Sequence, residues 1–319
     1  MKLPVVSLAL QGGGAHGAFT WGVLDRLLEE PALAIEGISA TSSGAMNALA
    51  LAQGWLDGGR DGARATLAAL WEGVASRTGL LRWAFSTPAG AATETLLLDM
   101  ARHFTPQEIN PLGINPLRDI AAALFDFERL RRESRFRLFL AATRVRDGSL
   151  VLFDNTRLDL DALLASACLP QLFAPVEIDG EMYWDGGYAG NPALEPLIYE
   201  CDSAAILCVL VQAIEHAEPP RSARQIRERI SELGFSTTFL RELGTVRRAQ
   251  RAVARTLPFS AIGRRLKALR IGMIEPGESL DAYSAKTRLN TRIAFLRELR
   301  DLGRQQADAW LATRAHELG

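Results

Sequence analysis

The first fifty residues change their hydrophobic period several times. Val5 to Leu10 is a short apolar run rich in β-branched residues and predicts a buried strand. The stretch Gln11-Gly12-Gly13-Gly14-Ala15-His16-Gly17 follows with almost no side-chain bulk. From about Ala18 to Glu30, Phe19, Val23, Leu24, Leu27 and Leu28 share one stripe, which predicts a helix. Ile35 to Ala40 predicts a second strand. It ends in Thr41-Ser42-Ser43-Gly44, and from Ala45 the positions Met46, Leu49, Leu51 and Trp55 predict another helix.

The pattern continues in the same alternation. Gly54 to Gly59 predicts a helix stop, and Ala63 to Val74 a further helix. Gly79 to Pro88 mixes apolar bulk with turn residues, which fits a lid, a membrane-touching loop or a packed surface. Leu117 to Glu133 reads as one amphipathic helix. Phe136 to Thr143 and Leu150 to Phe153 read as strands, and Asp159 to Ser166 as a short helix. Val176 to Ile178 and Met182 to Trp184 flank Asp179-Gly180, a hairpin signature. Ala204 to Val211 is continuously apolar, as expected of a central strand covered on both faces. From Pro219 the chain reads as helical to the end, interrupted near Pro258 and at Ile274 to Gly277. Alternating strands and helices predict an α/β fold: a mainly parallel central sheet with helices on both faces. Residues 1–215 form the expected core, and residues 216–319 a mainly helical C-terminal extension packed on it.

Composition agrees with a full core. The chain has 319 residues, 48% of them hydrophobic and 23% charged, which excludes global disorder. Its cysteines, Cys168, Cys201 and Cys208, are odd in number and form no C-x-x-C pair. That argues against a disulfide framework and a structural zinc site, and fits a reducing cytosol. The N-terminal run suits a buried strand better than a signal peptide. No uninterrupted apolar stretch reaches about 18 residues, so no membrane span is expected. The net charge of −1 hides an asymmetry: residues 221–270 hold thirteen Arg and Lys against three Glu, a net of +10. Such a segment fits an anionic surface, membrane or nucleic acid, or a solvated helical face.

Three stretches have candidate chemistry. The glycine loop opens a helix, where backbone N–H groups are free to hold an anion. Ser42 occupies a strand-to-helix turn like that of a Gly-x-Ser-x-Gly nucleophile elbow, and Asp185-Gly186-Gly187 follows the hairpin. Each alone has an ordinary explanation: a helix cap, a turn, a tightly packed loop. Gly12, Gly14 and Gly17 also match G-x-G-x-x-G, but the second strand ends in Ala40-Thr41-Ser42 and not in the acid a dinucleotide ribose needs; Glu36 stands at its start. Ser42, Asp185 and His216 follow the chain order of an α/β-hydrolase triad, which leaves a triad esterase open. A non-enzymatic lipid or nucleotide-binding module is the third reading.

Together, and in this order, the motifs resemble those of the patatin-like phospholipase family. Gly12-Gly13-Gly14-Ala15-His16-Gly17 is similar to its oxyanion loop, Ala40-Thr41-Ser42-Ser43-Gly44 to its nucleophile elbow, and Asp185-Gly186-Gly187 to its Asp-Gly-Gly/Ala motif. Ala165 to Pro175 resembles the segment leading into that motif, and the likeness covers about residues 5–215. The resemblance implies a three-layer α/β fold and a serine acyl hydrolase cleaving lipid carboxylic esters. It implies a Ser42–Asp185 dyad without a catalytic histidine and an oxyanion hole at Gly12, Gly13 and Gly14. Gly44, Gly186 and Gly187 would be the elbow and motif glycines. No metal and no organic cofactor are implied. Phe19, Trp21, Trp83 and Phe85 are candidates for an apolar acyl channel or its mouth. The basic stretch 221–270 is expected to touch anionic membrane and not nucleic acid, on a cytoplasmic, membrane-peripheral enzyme. Two positions depart from the family pattern: Ala40 replaces the first elbow glycine, and His16 stands where the family often has Arg or Lys.

Overall fold

A computed structural model of the chain describes residues 5–85, 105–110, 113–215, 219–254, 260–277 and 285–318. Its strands are β1 (Val5–Leu10), β2 (Ala34–Thr41), β3 (Arg137–Arg144), β4 (Leu150–Asp154), β5 (Val176–Ile178), β6 (Glu181–Asp185), β7 (Ala205–Val209) and β8 (Arg270–Ile274). The helices are α1 (Gly17–Leu27), α2 (Ser43–Phe85), α3 (Pro106–Ile109), α4 (Pro116–Leu124), α5 (Phe127–Glu133), α6 (Leu160–Ser166), α7 (Glu195–Tyr199), α8 (Ala223–Ala254), α9 (Ala261–Ala268) and α10 (Ile293–Thr313). The strands form one sheet in the order β5-β6-β3-β2-β1-β7-β8, with β4 also paired to β3. β3, β2, β1, β7 and β8 run parallel; β4 and β6 are antiparallel to β3, and β5 to β6. The sheet is therefore mixed, mostly parallel and flanked by helices, as expected.

The central strands are buried on both faces because their residues are apolar in succession. Every residue of β7 is buried, as are Val6 to Leu10 of β1. The hairpin at Asp179-Gly180 forms as expected, with both turn residues at positive φ (53° and 78°), as a type I′ turn requires.

Three elements differ from the sequence reading. Leu117 to Glu133 is two helices, α4 and α5, because Phe125 leaves helical geometry and the Asp126 carboxylate caps the second at Arg129 N–H (3.0 Å). The chain around Gly79 is still helical: α2 runs to Phe85, broken only where Gly58 and Gly59 leave helical φ/ψ. The C-terminal hundred residues are not all helix. Arg270 to Ile274 is an edge strand paired in register with Ala205 to Val209, so the sheet takes its last strand from beyond residue 215. The run Arg-Ile-Gly-Met-Ile has strand composition that the surrounding helices obscure. The interruption near Pro258 lies outside the described residues.

α10 packs along α1, the helix behind the glycine loop. A Cβ at Gly22 would lie 1.8 Å from the carbonyl oxygen of Arg300, and one at Gly303 would lie 2.1 Å from that of Phe19. Two glycines thus let the helix backbones touch. Asp25 of α1 and Glu29, just past its end, take Arg64 of α2 and Arg304 of α10 into one charge network beside that contact.

Candidate active site

Sheet register brings the second and third motifs together. β2 ends with Thr41 opposite Ala141 of β3, and the next residue of β3, Ala142, lies opposite Asp185 of β6. Ser42, one residue past Thr41, and Asp185 therefore flank β3 at the same level. The small side chains at Ala141 and Ala142, both fully buried, keep the gap between them narrow.

Ser42 has φ of +54°, a left-handed conformation uncommon for a residue with a Cβ. Three contacts hold it there. Its N–H donates to Ser166 Oγ (3.0 Å), its carbonyl accepts from Met46 N–H (3.1 Å), and Gly12 lies against it. A Cβ on Gly12 would meet Ser42 Cβ at 2.7 Å, so the glycine loop and the elbow fit only without a side chain at that position. Gly44 lies in the first turn of α2 against β1, and Ala40 is fully buried in β2, so alanine fits where the family pattern has glycine.

Asp185 is fully buried. Its N–H donates to Cys168 O (2.8 Å), its carbonyl accepts from Thr143 Oγ1 (2.8 Å), and its Oδ1 accepts from Gly187 N–H (2.7 Å). Burial pushes its pKa up to about 7; the Gly187 N–H and the neighbouring Ser42 hydroxyl pull the other way. Ser42 stands beside the carboxyl without meeting hydrogen-bond geometry, and Oδ2 has no partner among the described residues. An unpartnered buried oxygen is costly to keep and marks the point where a proton can be received. The pKa answers a difficulty posed by the sequence: a solvated carboxylate near 4 is a weak base for a serine, whereas one near 7 is matched to neutral pH.

The glycine loop uses its first N–H groups on its own structure. Gly12 N–H donates to Asn191 Oδ1 (2.7 Å) and Gly13 N–H to Ser43 Oγ (3.0 Å). Gly14, at φ +61°, has an N–H without a hydrogen-bond partner among the described residues. His16 is buried, bonds Thr287 Oγ1 through Nε2 (2.8 Å), and has its pKa lowered to about 3 by burial and then by Arg288. It is a neutral imidazole at physiological pH.

Not every expected residue reaches the site. Phe19 and Trp21 are buried core residues; Trp21 lies under the Arg300 guanidinium at 5.1 Å. The side chains of Trp83 and Phe85, and all of His216, lie outside the described residues. Conversely, Ser166 and Asn191 carry site hydrogen bonds that the sequence reading did not assign. Asn191 is buried, and its Nδ2 ties Gly12 O (3.3 Å) to Phe235 O of α8 (3.1 Å). Its signal was the turn sequence Gly190-Asn191-Pro192, six residues past Asp185. Surface grooves along Thr237 to Arg248 and between Arg137 and Glu200 contain none of these residues. Among the described residues no cluster of His, Cys, Asp and Glu is arranged to hold a metal ion. All three cysteines are free and buried.

The family model for patatin-like phospholipases matches residues 8–198, more than half of the chain. The chain belongs to the patatin-like phospholipase family. At family level that makes it a lipid acyl hydrolase. No curated protein matches it. Among solved structures, VipD from Legionella pneumophila is similar at a TM-score of 0.40 and 15% identity, over 93% of this chain and 67% of that one. Among the described residues no helix is long and apolar enough to cross a membrane.

Proposed function

We propose that the protein is a serine hydrolase of lipid carboxylic esters acting through Ser42 and Asp185. The observation that carries this reading is the buried Asp185 carboxyl, with one oxygen unpartnered, beside a serine held at positive φ. Ser42 Oγ attacks the ester carbonyl while Asp185 takes its proton. The alcohol leaves with that proton, and an acyl-enzyme remains. Water then attacks the acyl carbon, again giving a proton to Asp185, and the fatty acid departs as Ser42 recovers its hydroxyl. The oxyanion sits at the glycine loop, where Gly14 N–H is the available donor and Gly13 N–H can join only by leaving Ser43 Oγ. One such donor contributes about 2.7–4 kcal/mol to barrier lowering.

Substrate approach involves α8. Ile226, Ile230 and Leu233 are exposed (46%, 64% and 40%) and lie at i, i+4 and i+7 on its first turns, beside Arg227 and Arg229. Further along the same helix Phe235 packs on Tyr188, next to the Asp185 motif. An apolar stripe with basic flanks suits the surface of an anionic membrane. Ile230→Glu weakens binding to anionic vesicles, and salt weakens it in the wild type; binding that is insensitive to both removes α8 from this role.

The primary test compares hydrolysis of p-nitrophenyl esters of increasing chain length by wild type and Ser42→Ala. Loss of turnover in the variant, with fluorophosphonate labelling of Ser42 in the wild type, is the expected result. Equal turnover in both proteins refutes the assignment.

A further inference from the structure

We propose that Phe235 of α8 is a positioning residue for the reaction: its ring keeps water off the Asp185 carboxyl and so makes that group a strong enough base for Ser42. The proposal rests on the Ser42–Asp185 reading and deepens it by naming what tunes the base. Phe235 lies beyond residues 8–198, which the family model matches, so this cover comes from outside the matched core.

Geometry sets the ring against the base. A Cβ on Gly187 would lie 2.3 Å from Phe235 Cδ1 and Cε1 and 2.9 Å from Asp185 Oδ1. The ring edge and the carboxylate oxygen thus share the space that Gly187 leaves empty, and no water fits directly between them. The other walls of the carboxyl are small. Ala142 lies opposite Asp185 in the sheet, Ala141 precedes it, and a Cβ on Gly186 would meet Ala141 O at 2.2 Å. Phe235 adds the apolar bulk that these residues lack. The ring is itself held in place. Tyr188 packs on it with centroids 5.0 Å apart, and Asn191 Nδ2 donates to the Phe235 carbonyl (3.1 Å). One turn further along the same face of α8, Phe239 is buried in a core cluster with Leu197, Ile206 and Cys208.

Dryness is what the chemistry needs. Burial disfavours the ionised carboxyl and is the leading cause of its raised pKa; no charge raises it. The titratable neighbours of Asp185 are Tyr188 and Cys168. Burial keeps both protonated at neutral pH, the Cys168 thiol being pushed up to about 12. Charged groups on the surrounding elements are paired away from it: Arg144 of β3 with Asp147 (2.8 Å), Glu181 of β6 with Arg146 (3.0 Å), Asp161 of α6 with Arg118 (2.9 Å) and Glu232 of α8 with Arg229 (3.3 Å). Glu177 of β5 is exposed. With no charge to do it, the apolar cover sets the basicity of Asp185, and α8 supplies the ring in that cover.

The test records kcat/KM against pH for p-nitrophenyl butyrate in wild type, Phe235→Leu, Phe235→Ala, Tyr188→Phe and Tyr188→Ala proteins. The wild-type profile rises with a midpoint of about 7, the value set by Asp185. Phe235→Ala lets water reach the carboxyl, so its midpoint moves down by about one pH unit or more, and the plateau kcat falls about threefold to tenfold, as expected of a weaker base. Phe235→Leu keeps an apolar cover and with it the wild-type midpoint. Tyr188→Ala retains Phe235 but removes its support, and moves the midpoint the same way; Tyr188→Phe does not. Should Phe235→Ala fail to fold, the two Tyr188 variants decide alone. A role confined to packing lowers the urea midpoint of Phe235→Ala and Tyr188→Ala without moving either pH profile. That result overturns the proposal, and leaves the hydrolase reading standing so long as turnover still depends on Ser42. Wild-type turnover in Ser42→Ala overturns the hydrolase reading instead.

Discussion

Asp185→Asn is expected to abolish turnover and stabilise the protein at the same pH. Burial displaces the Asp185 pKa from 3.8 to about 7, so the folded state holds its proton where the unfolded chain has released it. A raised carboxyl pKa contributes stability that is fully present below the unfolded value and is lost as pH rises through the folded one. Between about pH 4 and pH 7, folding stability therefore falls with rising pH on account of this group. The displacement corresponds to about 4 kcal/mol once the carboxylate is fully ionised. Asparagine removes that cost. Its Oδ1 can still accept from Gly187 N–H, while its NH2 takes the place of the unpartnered Oδ2, an opposing cost of about 1–3 kcal/mol. The net gain at pH 8 is about 1–3 kcal/mol.

Urea unfolding of both proteins at pH 8 and pH 5 is the assay. At pH 5 the folded wild type is already protonated, and the advantage of Asn shrinks by roughly 2–3 kcal/mol, to nothing or below. Comparing the two proteins at each pH cancels every other titrating group. At pH 8 turnover falls by about 100- to 10,000-fold, the usual contribution of a general base, and the gap narrows below pH 7 as the wild-type carboxylate takes up its proton. In the wild type kcat/KM rises through pH 7 as Asp185 ionises. A stability difference that is equal at pH 5 and pH 8 would refute the claim that this carboxyl is strained by burial, and with it the source of its basicity.

Three further changes probe the scaffold. Ser166→Ala leaves the Ser42 N–H without its acceptor, and a loss of about 1–3 kcal/mol in urea stability, together with lower kcat, is expected. Gly303→Ala forces α10 away from the Phe19 carbonyl and costs about 1–3 kcal/mol, read as a lower urea midpoint and faster hydrogen exchange in both α1 and α10. Glu242, on α8, accepts Leu194 N–H (2.9 Å) and Glu195 N–H (2.6 Å) at the start of α7; Glu242→Ala destabilises by at least about 2 kcal/mol in the same assay, and Glu242→Gln by less.

Features written in contiguous residues were legible in the sequence. The β1-loop-α1 and β2-elbow-α2 units follow from a change of hydrophobic period across bare or turn-forming residues, and the Asp179-Gly180 hairpin from its own two residues. Features that depend on partners far along the chain were not. β8 is five residues whose strand character exists only because β7 offers it an edge. The Phe125 break needs only one residue to leave helical geometry, so the apolar stripe of Leu117 to Glu133 concealed it. Periodicity gives the face of a helix but not what covers it: Phe19 and Trp21 are both buried, and Trp21 lies under Arg300 of α10.

The same limit explains the glycine loop. Three glycines in sequence read as three anion donors, yet the fold commits Gly12 N–H to Asn191 and Gly13 N–H to Ser43. Those bonds join all three motifs. Asn191 follows the Asp185 motif, Ser43 follows Ser42, and Ser166, on the segment before Asp185, accepts from Ser42 N–H. The glycine loop, the Ser42 turn and the Asp185 motif are therefore one hydrogen-bonded unit. Of the three donors, Gly14 N–H alone has no hydrogen-bond partner among the described residues.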